Sequence, residues 1–353
     1  MGSPPTSTGE ETAPEEVRWC RDRVGDVSRT FAISIDMMET PESDYIAIGY
    51  LLCRIADTIE DAPELDPETK GHLLREYASA FGVEDESEIE AFVETTEREM
   101  PEDPINPDHW QLVVEAPKVY RAYESLPADV REGIKPAVLE LTYGMHNYCL
   151  RDRDRTGLRL RTLDDLERYC YFVASTVGHL LNGVFSQVSP MTVDEGVRER
   201  AETYGLLLQL CNISKDVHSD YHEEGSIYVP ADHLDDRGVE QGKLLAPENH
   251  ERTAEAVEIV IERAREHVED ARRYVTEDID DDLFEAWALP YLLAIATLRE
   301  VESNAATVLE EGGVKIHREE VYSVIEAVER IDPAELPELE ARIEAGQFDI
   351  EEW

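Results

Sequence analysis

Two groups of acidic residues lie at helical spacing on segments that are otherwise apolar. Asp57, Glu60 and Asp61 occur in the run CRIADTIED, and offsets of three and four residues place their carboxylates on one helical face. Neighbouring carboxylates repel one another, so on an apolar helix they call for a cation. Their oxygens suit Mg²⁺, which binds through one or two carboxylates and substrate phosphates. The alternative is a solvated acidic turn in which Arg54 pairs with Asp57.

The second group is a polar stripe in the run QLCNISKDVHSD. Gln209, Asn212, Asp216 and Asp220 fall within roughly 80° of one another on a helix, while the other faces of this segment are apolar. Two such stripes predict two walls of one cavity, where metal ions between the walls would bridge a diphosphate. Chance placement of both stripes is the alternative in a chain with 80 acidic residues.

A phosphate site also needs cations from the protein. Arg29 in the run SRTF, Arg54 and Lys215 are the candidates, and arginine offers phosphate a bidentate fork. Surface ion pairing is the alternative for each of them.

An aromatic segment, YCYFVASTVG at 169–178, lies between the stripes. Its small residues permit close helix packing or leave cavity space, and its rings could face a carbocation. We predict a functional role for Tyr169. Packing in the core is at least as good an interpretation for Tyr171 and Phe172.

These residues lie on segments whose apolar periodicity is helical almost throughout. Three- and four-residue spacing predicts helices over 16–36, 44–61, 69–81, 86–97, 109–123, 127–154, 163–188, 194–220, 252–275, 281–309 and 317–330. Clear β alternation is hard to find, so a single all-α domain is the simplest prediction. We predict a disordered tail at residues 1–14 and a lid or active-site loop at 221–249. Residues 331–353 are predicted to form an acidic C-terminal extension.

The charge balance bears on partners and environment. The 353 residues include 80 acidic and 33 basic ones, a net charge of -47. Such a surface repels nucleic-acid backbones, so we expect no nucleic-acid partner, and it disfavours adsorption to anionic bilayers. Many carboxylates with few lysines predict a protein adapted to molar salt, where charge repulsion is screened. An ordinary acidic enzyme is the alternative.

The cysteines and hydropathy bear on location. Five cysteines are widely spaced without a CxxC pair, and several lie in apolar runs, which predicts buried thiols in a reducing cytoplasm. No run approaches the length of a membrane span, and no signal peptide is apparent. We therefore predict a cytoplasmic protein, in a high-salt cytoplasm.

Taken together, these motifs resemble the squalene/phytoene synthase family of all-α isoprenoid enzymes. SRTFA at 28–32, DTIED at 57–61, YCYFVA at 169–174 and NISKD at 212–216 follow the family's order and spacing. LPYLLAIATL at 289–298 and VKI at 314–316 favour its squalene synthase branch. The resemblance covers roughly residues 16–330. It implies an isoprenoid-synthase-type helical bundle around a central active-site cavity, with the catalytic domain at 15–330.

The resemblance implies Mg²⁺-dependent head-to-head condensation of two farnesyl diphosphates to presqualene diphosphate, then reduction to squalene by NADPH or NADH. Tyr169 matches the position proposed to handle a proton. The implied metal-binding residues are Asp57, Glu60, Asp61, Asn212, Asp216 and Asp220. The implied substrate-binding residues are Ser28, Arg29, Phe31, Tyr50, Arg54, Gln209 and Lys215, and the nicotinamide cofactor would lie near Lys315 and Arg318.

The chain also departs from the family pattern. Ala62 stands where the family's first acidic motif usually continues with an acidic residue. In the second motif, Lys215 replaces the usual arginine, and Ser219 replaces the usual acidic residue. The run IYVP at 227–230 is closer to the phytoene synthase version.

The open alternatives are a phytoene or dehydrosqualene synthase without hydride transfer, and a non-catalytic helical assembly or binding protein. We expect residues 331–353 to lack the membrane anchor of eukaryotic members, because this segment is acidic. An apolar product nevertheless predicts peripheral membrane contact during release. The sequence does not define an oligomeric state.

Overall fold

The computed structural model describes residues 14–151, 157–188 and 192–346, and within these ranges the chain is helical. Its β interaction there is an isolated parallel bridge between Arg159 and Ile227. The expected all-α helical bundle is confirmed. The helices are α1 (Glu15–Val27), α2 (Arg29–Asp36), α3 (Glu42–Asp61), α4 (Pro67–Val83), α5 (Glu86–Glu99), α6 (Pro107–Val114), α7 (Ala116–Glu124), α8 (Ala128–Arg151), α9 (Leu163–Cys170), α10 (Thr176–Val188), α11 (Glu195–Lys215), α12 (Val217–Ser219), α13 (Ala231–Asp236), α14 (His250–Glu266), α15 (Val268–Arg273), α16 (Phe284–Ser303), α17 (Arg318–Val328) and α18 (Leu336–Glu344).

Shorter helical turns complete the fold. π-Helical turns span Tyr171–Ser175, Asp220–Glu224 and Tyr274–Asp278, and 3₁₀ turns span Gln241–Lys243, Pro247–Asn249, Asp281–Leu283, Ala305–Leu309 and Pro333–Glu335. The predicted continuous helices over 163–188 and 194–220 are therefore interrupted. The predicted loop over 221–249 contains α13 and several of these turns. Residues 1–13 of the expected disordered tail lie outside the described residues.

Side-chain caps define where three helices of the site begin. Ser28 accepts a hydrogen bond from the backbone of Phe31 at the start of α2. Thr162 and Asp194 cap α9 and α11 in the same way. Each side chain satisfies a backbone N–H that has no partner within its own helix, so these caps fix the starting points of the helices.

α3 lies at the centre of the bundle, buried along most of its length, as its apolar sequence predicts. α10 and α11 pack against each other at close range. A Cβ atom at Gly178 would lie 2.8 Å from the carbonyl oxygen of Ala201, and one at Gly205 equally close to that of Ala174. Gly178 therefore lets α10 meet α11, and Gly205 lets α11 meet the helical turn that precedes α10, as the small residues of this region predict.

All five cysteines are buried and free, as predicted. No helix in the described part of the chain is both long and apolar enough to cross a bilayer.

The C-terminal helix α18 was not predicted. It buries Leu336, Leu339 and Ile343, and it packs on α16. Tyr291 of α16 donates a hydrogen bond of 2.7 Å to Glu340 of α18. The acidic composition of this segment masks the three apolar positions, which lie on one helical face.

Candidate active site

Carboxylates from α3 and from the chain around the end of α11 face one cavity of about 350 Å³, the polar cavity. Both predicted acidic stripes therefore contribute to one space. The predicted residues that line it are Arg54, Asp57, Glu60, Asp61, Tyr169, Gln209, Asn212, Lys215, Asp216 and Asp220.

The second wall of the polar cavity is built from broken helix. α11 ends at Lys215, and Asp216 takes a non-helical backbone conformation with φ -103° and ψ 13°. The π-helical turn that starts at Asp220 brings Glu224 into the same cavity. Sequence reasoning missed Glu224, because the segment that follows Asp220 was predicted to be a loop. π-Helical turns of this kind are frequent at functional sites.

Burial shapes the charge state of the polar cavity. It raises the pKa of Asp57 to about 7, with Arg54 opposing the shift and Asp61 adding to it. Loss of solvation, together with neighbouring carboxylates, also raises the pKa values of Glu60, Asp220 and Glu224. Keeping all of these carboxylates ionised would therefore cost free energy, unless a further cation enters the cavity.

Among the residues that line the polar cavity, Lys215 and Arg54 pair with these carboxylates. Lys215 forms an ion pair with Asp216, and Arg54 lies 3.4 Å from Asp57. The other side of the Arg54 guanidinium lies 3.1 Å from Nδ1 of His109. Burial and, to a smaller extent, the positive charge of Arg54 lower the pKa of His109 to about 4. The imidazole is therefore neutral and accepts the hydrogen bond from Arg54. Sequence reasoning missed His109, because α6 meets α3 only in the folded protein.

The donor set fits Mg²⁺. Across residues 14–151, 157–188 and 192–346, no three His, Cys, Asp or Glu side chains form a ready-made metal site. The polar cavity instead offers carboxylate and amide oxygens on two facing walls. Mg²⁺ keeps several water ligands and is usually held by one or two carboxylates together with substrate phosphates. A few oxygen ligands on each wall therefore suffice to hold it. Its charge would also offset the excess of carboxylates.

Tyr169 is held in a chain of hydrogen bonds at the edge of the polar cavity. It is 2% exposed, and its hydroxyl donates to Glu60 at 3.1 Å. The hydroxyl of Tyr228 lies 3.3 Å from that of Tyr169 and 3.0 Å from Glu224, and its single proton can be donated to either oxygen. Burial and, to a smaller extent, the negative charge of Glu60 raise the pKa of Tyr169. The side chain therefore stays a neutral phenol. Sequence reasoning noted Tyr228 only as part of the run IYVP.

A second, apolar cavity of about 220 Å³ adjoins the polar one, and both are lined by Asp57 and Val173. Phe31 and Tyr50 line the apolar cavity, with their rings stacked at 4.2 Å. Ser28, the cap of α2, interacts with the Tyr50 hydroxyl. Phe31 and Tyr50 therefore line this cavity, whereas Ser28 reaches it only through Tyr50.

A third, outer cavity of about 790 Å³ shares Lys215 and Asp220 with the polar cavity and is also lined by Lys315. Arg318 is exposed on the first turn of α17, outside that lining. Arg29 is exposed on the first turn of α2 and lines none of the three cavities. α2 turns its apolar face inward, which leaves Arg29 in solvent.

Comparison with known proteins agrees with this geometry. The family model of squalene/phytoene synthase matches residues 24–320. The chain belongs to the squalene/phytoene synthase family. It is therefore a transferase of the prenyltransferase class.

Individual relatives show how far the similarity extends. Squalene synthase of Schizosaccharomyces pombe is 27% identical over 322 residues, covering 91% of this chain and 67% of that protein. The chain spans about two thirds of the length of such curated relatives. The solved structure of TcSQS with ligand BPH1237 has a TM-score of 0.79 at 22% identity, covering 95% of this chain and 93% of that one. A dehydrosqualene synthase in complex with ligand has a TM-score of 0.62 at 18% identity, covering 89% and 95%. Both structures share the fold.

Proposed function

We propose that the chain is a squalene synthase. It would condense two farnesyl diphosphates head to head into presqualene diphosphate and reduce that intermediate to squalene. The observation that carries the proposal is the junction of the two cavities at Asp57. A prenyl diphosphate has a charged head and an apolar tail, and this junction offers each part a matching environment.

The polar cavity accounts for loss of the first diphosphate. Arg54 and Lys215 lie among the carboxylates and would contact the phosphate oxygens. Bound Mg²⁺ would supply the positive charge that stabilises the departing anion. The apolar cavity keeps water away from the allylic cation, and Phe31 and Tyr50 present aromatic rings to it. The double bond of the second substrate then attacks this cation.

Tyr169 accounts for loss of the proton that closes the cyclopropane. Its hydroxyl oxygen would accept that proton while passing its own to Glu60, to which it already donates. Burial raises the pKa of Glu60, and a higher pKa makes its carboxylate a stronger base for this proton. The bond to Tyr228 keeps the hydroxyl from turning away.

The second step needs a hydride, which NADPH or NADH would supply. The outer cavity is large enough for a dinucleotide, and it adjoins the polar cavity. Lys315 would contact a cofactor phosphate there, and Arg318 would do so only after its exposed side chain reorients. Since the described chain is helical, the site is not a Rossmann fold.

A phytoene or dehydrosqualene synthase is the second candidate. The specific observation in its favour is Tyr228, which belongs to the run IYVP and reaches into the polar cavity. The non-catalytic alternative is the weaker one, because both acidic walls are present and face each other. We further propose a cytoplasmic protein in high salt, with peripheral membrane contact for product release and no nucleic-acid partner.

Product analysis tests the proposal. The protein is incubated with farnesyl diphosphate and Mg²⁺ in molar KCl, with and without NADPH. We expect presqualene diphosphate to accumulate without NADPH and squalene to form with it. Dehydrosqualene as the product, or C40 product from geranylgeranyl diphosphate alone, would favour the second candidate.

A further inference from the structure

The apolar cavity has a polar end and a closed end. Along α3 its lining runs from Asp57 back through Cys53 and Tyr50 to Ile46. Ile46 lies eleven positions before Asp57, which corresponds to about 16 Å of helix. Apart from Asp57, the lining residues are uncharged. The cavity is therefore an apolar passage about as long as this part of α3.

Two other helical segments also run from the polar cavity toward the closed end of the apolar cavity. On α11, Asn212 lines the polar cavity and Tyr204 the apolar one, and these residues are about 12 Å apart along the helix. From Val173, which lines both cavities, to Leu181 on α10 is also about 12 Å. Tyr204 and Leu181 therefore lie toward the closed end, with Ile46.

Trp287 of α16 closes this end. The residue lines the cavity and is 4% exposed. Its backbone carbonyl accepts a hydrogen bond of 2.9 Å from the hydroxyl of Tyr204. Behind the indole, Phe185 packs edge-on with ring centroids 5.1 Å apart, and Phe185 itself does not line the cavity. The indole is therefore backed by the Phe185 ring on the side of the core.

The length of the cavity distinguishes two prenyl chains. An extended chain advances about 1.2 Å per bond, which gives roughly 13 Å for a C15 prenyl group and roughly 18 Å for a C20 group. A passage of about 16 Å accepts the shorter group and brings the last isoprene unit of the longer one against Trp287. We propose that Trp287 restricts this cavity to C15 chains and is a specificity-determining residue of the enzyme. This inference rests on the proposed prenyl diphosphate chemistry.

Binding of unreactive substrate analogues tests the proposal without turnover. Titration calorimetry with Mg²⁺ compares farnesyl and geranylgeranyl thiolodiphosphates, in which sulfur replaces the bridging oxygen. We expect the wild-type protein to bind the C15 analogue at least about tenfold more tightly, as for other pockets that reject an added apolar group. In Trp287→Ala this preference should fall to about threefold or less.

Two further variants make the test specific. Leu292→Ala removes a buried side chain from the same helix without touching the lining, so the C15 preference should persist. Trp287→Phe keeps an aromatic ring if the alanine variant fails to fold, and its preference should be intermediate. Equal binding of both analogues to wild type, no binding of either, or an unchanged preference in both Trp287 variants would overturn the proposal. Failure of the proposed function would appear separately, as absence of turnover of the natural diphosphates by a protein that binds the analogues selectively.

Discussion

The hydroxyl of Tyr169 donates a 3.1 Å hydrogen bond to the carboxylate of Glu60. The bond joins the aromatic segment between the two acidic stripes to the first stripe. Glu60 therefore has a buried phenol as its partner, whereas Asp57 pairs with the Arg54 guanidinium. In our account this pair receives the proton lost in the first condensation, while the other carboxylates serve the metal and the diphosphate.

Substitutions in this hydrogen-bonded chain should lower turnover in a graded way. Tyr169→Phe removes the group that moves the proton, so kcat should fall by about a hundredfold or more. Tyr228→Phe only loosens the position of Tyr169, and a loss of about tenfold in kcat with little change in KM is expected. Steady-state kinetics on farnesyl diphosphate measure both. Tyr143→Phe, at an exposed tyrosine, is the control, and full activity of Tyr169→Phe would remove Tyr169 from the mechanism.

Stability without Mg²⁺ should decrease as pH rises. Burial raises the pKa of Asp57 to about 7, so the folded protein binds more protons than the unfolded chain above the ordinary carboxyl pKa of about 4. The stabilisation is complete below about pH 4 and is lost as pH rises to about 7. The melting temperature in EDTA and high salt should therefore be lower at about pH 8 than at about pH 5, with a smaller difference in Asp57→Asn.

Mg²⁺ should reverse this trend, because carboxylates must lose their protons to bind it. We expect Mg²⁺ to raise the melting temperature more at about pH 8 than at about pH 5. Equal stabilisation at both pH values would argue against metal binding by the buried carboxylates.

High salt should stabilise the protein. With a net charge of -47, repulsion between carboxylates destabilises the folded chain until salt screens it. The melting temperature should rise steadily between about 0.1 M and about 3 M KCl. A melting temperature that is independent of KCl would contradict the predicted adaptation to molar salt.

Helix α18 should contribute to global stability. Leu339→Ala leaves a cavity between α18 and the rest of the bundle, so unfolding free energy should fall by about 3 kcal/mol in denaturant titrations. Glu338→Ala, at an exposed position of the same helix, should change it by less than about 0.5 kcal/mol. If the two variants were equally stable, α18 would not be part of the cooperative fold.

The sequence predicted most of the helices and both acidic walls for a clear physical reason. Asp57 and Asp216 stand out because they are charged residues on otherwise apolar helical segments, and such groups require a partner. Both acidic groups also repeat at offsets that place them on one helical face, so the sequence alone predicts a common cavity.

The missing parts depend on features that spacing does not encode. Glu224 enters the polar cavity through a π-helical turn, which ordinary helical periodicity does not predict. Tyr228 and His109 reach the site through tertiary contacts alone. Arg29 was expected at the substrate because of its motif, but its position on α2 exposes it. α18 was missed because its acidic residues outweigh its apolar ones in composition.

The central claim is that two facing carboxylate walls hold the Mg²⁺ that removes the diphosphate. Its most direct test is the initial rate of inorganic diphosphate release from farnesyl diphosphate, for wild type, Asp57→Asn, Asp216→Asn and the exposed control Asp22→Asn. We predict Mg²⁺-dependent release by wild type and Asp22→Asn, and at least a hundredfold lower rate for either cavity variant with the fold intact by circular dichroism. Undiminished release by both cavity variants would contradict the account.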